Sequence, residues 1–133
     1  MAVSVAVVQG TSSVTEYAVW EGANGNLWYA TNTGGTWTGP TSPGYGPMGS
    51  EPSAVAVGSD VYVFWEGTNS ALWWAEYNGT SWSASASSPG DGPLGSPPSA
   101  TYNTKTLAID IFWKGSDGNL WGATYTPTTT TWT

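Results

Sequence analysis

One fourteen-residue design occurs three times in this 133-residue chain. It reads Tyr-Ala-Val-Trp-Glu-Gly-Ala-Asn-Gly-Asn-Leu-Trp-Tyr-Ala at 17–30, Tyr-Val-Phe-Trp-Glu-Gly-Thr-Asn-Ser-Ala-Leu-Trp-Trp-Ala at 62–75 and Asp-Ile-Phe-Trp-Lys-Gly-Ser-Asp-Gly-Asn-Leu-Trp-Gly-Ala at 110–123. Trp20, Trp65 and Trp113 correspond, as do the Leu-Trp pairs at 27–28, 72–73 and 120–121, spaced by 45 and then 48 residues. A period of that size in a strand-rich chain means repeated sheets.

Each repeat reads as a four-stranded antiparallel meander. In the first, strands are expected at 3–8, 16–21, 27–32 and 36–38, with Asn24-Gly25 as a type I′ hairpin turn. The second takes 54–58, 61–67, 72–78 and 81–83; the third takes 100–104, 107–115, 120–126 and 131–133. Asn78-Gly79-Thr80 matches a glycosylation sequon, but the turn geometry already demands Asn-Gly there. The connector Gly-Pro-Met-Gly-Ser-Glu-Pro-Ser at 46–53 recurs as Gly-Pro-Leu-Gly-Ser-Pro-Pro-Ser at 92–99. Its single apolar residue, Met48 or Leu94, is expected beneath a neighbouring sheet. The chain is thus one repeat domain, 1–133, with units at about 1–45, 46–91 and 92–133, and the break falls between repeats.

Alternation along the strands predicts what each sheet packs against. Trp28, Trp73 and Trp121 share a face with Ala30, Ala75 and Ala123, a large ring beside a small residue in every repeat. The other face carries Leu27, Leu72 and Leu120. Both faces being apolar, each sheet needs a neighbour on both sides, and radial stacking in a β-propeller supplies it. The fold class expected is therefore all-β, a propeller of four-stranded antiparallel blades with three blades per chain. Propellers close with about four to eight blades, and an open wedge would leave two aromatic faces in water. Head-to-tail dimerisation into a six-bladed ring is the expected completion.

The pattern Phe-Trp-(Glu/Lys)-Gly-x-(Asp/Asn)-(Gly/Ser)-x-Leu-Trp, closed by a short Ser-Trp or Thr-Trp strand, resembles the bacterial propeller lectins of the Photorhabdus lectin type and, more loosely, tectonin and tachylectin repeats. The resemblance covers all three repeats. It implies sugar binding in pockets between blades, commonly of fucose-type or methylated sugars, and a secreted or cell-surface setting. Glu21, Glu66 and Lys114 stand where such blades often carry arginine.

The chemistry of the side chains narrows function independently. With no His and no Cys, the common acid–base, nucleophilic and zinc arrangements are closed. Glu21 and Glu66 sit at the same position of successive repeats, not across one sugar, and Lys114 replaces them in the third, so no glycosidase pair repeats. Residues 115–119 resemble a calcium loop without its full run of oxygen ligands. No catalytic residue, metal or cofactor is expected. Nine acids against Lys105 and Lys114 give a net charge of −7, which argues against nucleic acid. No stretch approaches the roughly 20 apolar residues of a membrane helix, and the first residues read as a strand, not a signal peptide.

Aromatics make up 14 % of the chain, ten of them tryptophan, which suits a sugar's apolar face, while carboxylates and amides suit its hydroxyls. The candidate carbohydrate-binding residues are Trp20, Glu21, Tyr29, Trp37, Trp65, Glu66, Trp74, Trp82, Trp113 and Lys114. Trp20-Glu21, Trp65-Glu66 and Trp113-Lys114 each offer a ring and a charged group at the end of a second strand. Tyr29 and Trp74 vary between repeats, as a ligand wall would. Trp37, Trp82 and Trp132 either brace the outer strand or line a groove. Trp28, Trp73 and Trp121 read as core, and Glu51, Asp60, Glu76 and Asp91 as surface charge. The partners expected are glycans and a second copy of the chain. The alternative is a propeller scaffold whose tryptophans only pack.

Overall fold

The computed structural model describes residues 2–87 and 92–133. It contains twelve strands in three antiparallel sheets of four, each a simple meander. Blade 1 is β1 (Val3–Gln9), β2 (Val14–Glu21), β3 (Leu27–Thr33) and β4 (Thr36–Thr41). Blade 2 is β5 (Ser53–Val57), β6 (Asp60–Glu66), β7 (Leu72–Tyr77) and β8 (Ala86–Ser87). Blade 3 is β9 (Ser99–Asn103), β10 (Ala108–Lys114), β11 (Leu120–Thr126) and β12 (Thr131–Trp132). The registers repeat: Trp20 pairs with Trp28, Trp65 with Trp73, and Trp113 with Trp121.

Two strand-level expectations change. The outer strand of blade 2 is not at 81–83; Trp82 makes one bridge to Tyr77, and regular pairing resumes at β8. Ser83 interrupts the ladder, its hydroxyl accepting the N–H of Glu76 at 2.9 Å. The Asn24-Gly25 turn is not type I′, because only Gly25 has positive φ, 76°. The N–H of Gly25 donates to the Gly22 carbonyl and that of Gly22 to the Asn26 carbonyl, which is a type I turn followed by a left-handed residue. Ser70 takes the left-handed role in blade 2, with φ 59°.

β1, β5 and β9 lie side by side along the inner edge. Ser4 Oγ accepts the N–H of Ala54 at 2.9 Å, and Ser53 Oγ that of Ala100 at 3.0 Å. The core consists of two inter-blade layers. Between blades 1 and 2, Val19 and Leu27 meet Val61, Val63 and Trp65; between blades 2 and 3, Phe64 and Leu72 meet Ile109, Ile111 and Trp113. Met48 and Leu94 are buried in these layers, as the connectors lead one to expect. Burying an apolar side chain of this size contributes about 1.5–3 kcal/mol, so stability resides in the junctions. The outermost faces of blades 1 and 3 remain open, and Val3, Val5, Trp37, Phe112 and Leu120 are exposed there.

Candidate inter-blade sugar pocket

The end of each blade's central hairpin is built around one tryptophan. Trp73 Nε1 donates to Asn69 Oδ1 at 3.1 Å, while the same oxygen accepts the N–H of Ala71 at 3.2 Å. Trp28 and Asn24 repeat the arrangement at 3.2 Å, and Trp121 and Asp117 at 3.1 Å. The ring folds back over a glycine. A Cβ on Gly22, Gly67 or Gly115 would lie 2.3, 2.5 or 2.5 Å from Cδ1 of Trp28, Trp73 or Trp121. Those glycines thus serve close ring approach. The asparagine is held as part of the turn, so the indole is fixed before any ligand arrives.

Beside this tryptophan lies a cavity of about 270 Å³ between blade 2 and the connector that leads into it from blade 1. The connector supplies Gly46 and Pro47 as one wall; blade 2 supplies Trp65, Gly67, Thr68, Asn69, Trp73 and Ser85. Trp65 is only 2 % exposed and forms the back, whereas half-buried Trp73 presents a ring surface. Blade 1 carries the counterpart on its open face, about 410 Å³, lined by Trp20, Gly22, Ala23, Asn24, Trp28 and Pro40. These six residues are the repeat equivalents of the blade 2 set, without a Gly-Pro wall. In blade 3, Gly92 packs against the ring of Trp121, and Trp113, at 3 % exposure, takes the place of Trp65.

Such a pocket combines an indole face with the hydroxyls of Thr68 and Ser85 and the amide of Asn69. It can stack on an apolar C–H face and bond the hydroxyls around it. No acid or base lines it.

The ten predicted residues divide sharply. Trp20 and Trp65 line the pockets, with Trp113 in the corresponding place in blade 3. Glu21, Glu66 and Lys114, next in sequence, point to the opposite face, because neighbours along a strand alternate; ring and charge serve different junctions. Burial raises the Glu66 pKa, with the Ser70 and Ser50 hydroxyls opposing it. Tyr29 packs on Tyr77 and Trp82, and Trp74 on Tyr125 at 4.7 Å between centroids, so both sit within the junctions instead of walling a ligand site. Trp82 is braced by Tyr45, whose hydroxyl donates to the Ser83 carbonyl. Trp37, 56 % exposed, lies on the open face of blade 1 with Val3, Ala18, Trp20 and Ala30. Glu51, Asp60 and Glu76 are half-buried, Glu76 beside the Tyr62 hydroxyl, so they are not plain surface charge; Asp91 lies outside the described residues.

Trp28, Trp73 and Trp121 depart from the core reading: they are half-buried or, for Trp121, 44 % exposed, and the first two line pockets. Asn24, Asn69 and Asp117, which the sequence marks only as turn residues, complete the site. Their signal was present as a Gly-x-(Asn/Asp)-x-x-x-Trp spacing common to the three repeats.

No protein-family model and no curated protein matches the chain. Among solved structures it is similar to a fucose lectin from Kordia zhangzhouensis in complex with methyl-fucoside, with TM-score 0.77 and 14% identity over 97% of this chain and 95% of that one. A variant of the Aleuria aurantia lectin in complex with alpha-methyl-L-fucoside gives TM-score 0.72 at 17% identity, covering 98% of this chain and 43% of that one. The SapL1 lectin in complex with alpha methyl fucoside gives 0.69 at 19%, covering 98% and 45%. The chain therefore spans less than half the length of the latter two. At these identities the likeness is one of fold.

Proposed function

We propose that the protein is a carbohydrate-binding lectin without catalytic activity, taking sugars in the rim pockets at or between blades. The observation that carries this is the recurrence, in successive blades, of one six-residue pocket set around a pre-oriented tryptophan. Packing alone requires neither the exposed ring surface of Trp73 nor its clamp to Asn69. The absence of any acid or base from the linings supports binding over hydrolysis. Because the similar structures are in complex with fucosides, a fucose-type sugar is the first ligand to test. The blade motif supports a closer kinship with the Photorhabdus-type lectins within this fold. Several weak equivalent pockets on one particle would act through avidity.

We further infer that two chains close head to tail into a six-bladed ring, covering the apolar faces of blades 1 and 3. The test of function is a glycan array followed by calorimetry with methyl α-L-fucoside on the native chain and Trp73→Ala. Array hits sharing one terminal sugar, with binding weakened in the variant at unchanged mass, are expected. A blank array at high protein concentration would favour a scaffold role. Light scattering tests the ring, and a monomer mass would refute it.

A further inference from the structure

The two open faces depart from the repeat at matched positions. Between blades 1 and 2, Tyr17 meets Tyr77 with centroids 5.7 Å apart; between blades 2 and 3, Tyr62 meets Tyr125 at 5.8 Å. Asp110, paired with Thr124, holds the register position of Tyr17 and Tyr62. Asn32, paired with Glu16, holds that of Tyr77 and Tyr125. Asp110 lies on the open face of blade 3 and Asn32 on that of blade 1. The two members of one recurring contact have thus both become polar, and only where no blade of the chain covers them.

Both groups are held in place. Asn32 Nδ2 donates to Glu16 Oε2 at 2.7 Å, leaving the second amide N–H for another acceptor. Thr124 Oγ1 donates to Asp110 Oδ1 at 3.0 Å, leaving Asp110 Oδ2 for another donor. The serine belt along the inner edge has matching loose ends. Ser4 and Ser53 each accept an N–H from the following blade, from Ala54 and Ala100. Ser99 is the next acceptor in the series, and Val5 holds the register position of Ala54 and Ala100.

Resting on the ring closure proposed above, we propose that the open face of blade 3 docks on the open face of blade 1 of a second copy through a polar seam. Asp110 accepts from Asn32 of the second copy, and Ser99 accepts the N–H of its Val5. This seam replaces the tyrosine pair of the internal junctions and gives the contact a direction. Pairing the open face of blade 3 with itself would oppose Asp110 to Asp110 with no donor between them, whereas docking on blade 1 sets the Asn32 amide between Asp110 and Glu16, which already accepts from it.

The chain has no cysteine, so introduced thiols are unique. Asn32→Cys and Asp110→Cys are prepared as separate variants, mixed, and oxidised with copper phenanthroline. Tyr17→Cys/Tyr77→Cys, the same contact inside one chain, serves as the geometric control. The expected result is a covalent dimer from the mixture, none from either variant alone, and an intrachain bond in the control. A native dimer by light scattering with no cross-link in the mixture, while the control closes, would overturn the seam and leave the ring standing. Cross-linking of either single variant with itself would overturn the head-to-tail direction. A native monomer would overturn seam and ring together, and sugar binding is read separately by calorimetry.

Discussion

The indole of Trp73 donates its N–H to Asn69 Oδ1 at 3.1 Å, and the pair recurs as Trp28–Asn24 and Trp121–Asp117. The partners stand four positions apart in each case, so a turn and a ring are locked together by local chain alone. A ring held this way loses little freedom when a ligand stacks on it, which favours affinity. The net worth of one such hydrogen bond is about 0.5–1.5 kcal/mol. Its main effect is therefore on ring orientation.

Gly67→Ala tests that orientation. The added methyl would stand 2.5 Å from Trp73 Cδ1, closer than contact allows, and the ring must move off the glycine. The expected outcome is loss of about 1–3 kcal/mol of stability, in the range of overpacking, with at least tenfold weaker sugar binding. Chemical denaturation and calorimetry measure the two. Unchanged binding would mean that the ring is not the ligand platform.

Only the third of these clamps ionises. The backbone N–H and side chain of Asn119, then the Trp121 indole, hold the Asp117 pKa below the ordinary aspartate range. A depressed folded-state pKa stabilises the fold above the unfolded value, and that contribution is lost as pH falls through the folded value. Acidification below the aspartate range should shift the Trp121 indole proton resonance through this titration. Asp117→Asn should abolish the titration at that resonance. Its persistence in the variant would remove Asp117 as the cause.

Leu72 and Leu120 hold the same repeat position, yet Leu72 is 0% exposed and Leu120 is 78% exposed. Leu72→Ala should cost about 2–5 kcal/mol, as for other buried leucines. Leu120→Ala should leave the stability of the dilute chain nearly unchanged while weakening self-association. Denaturation at two protein concentrations, paired with sedimentation, distinguishes them. Equal losses from both would indicate that the open face is not open in solution.

Glu66 carries the opposite linkage to Asp117. Burial raises its pKa, so its favourable contribution is complete below the ordinary glutamate range and is lost as pH rises through the folded value. Glu66→Gln should therefore raise stability at neutral pH, with the advantage vanishing under acid. Thermal melts at the two pH values suffice, and a variant less stable at neutral pH would contradict the burial argument.

The repeat was legible from one sequence because a meander is local. Gly22, Gly67 and Gly115 recur before the hairpins, and the Leu-Trp pairs recur after them. Alternation along those strands was enough to demand neighbours on both sides of each sheet. Even the burial of Met48 and Leu94 followed from their isolation in polar connectors. Which tryptophans meet water did not follow. Trp65 and Trp73 are cross-strand partners on one face, and periodicity assigns them the same environment; in the fold Tyr45 stacks on Trp65 at 6.1 Å between centroids within the core of the first junction, while Trp73 stays half-buried at its edge. Tyr29 and Trp74 differ between repeats, yet each packs on the tyrosine at the same position of the next blade, Tyr77 in one junction and Tyr125 in the other, a contact that periodicity within one blade does not show. The sequence by itself determined the blade, since hydrogen-bond register and face alternation are properties of neighbouring strands. The junctions were decided by tertiary structure, because what a face touches depends on residues of the neighbouring repeat and of the connector that leads to it.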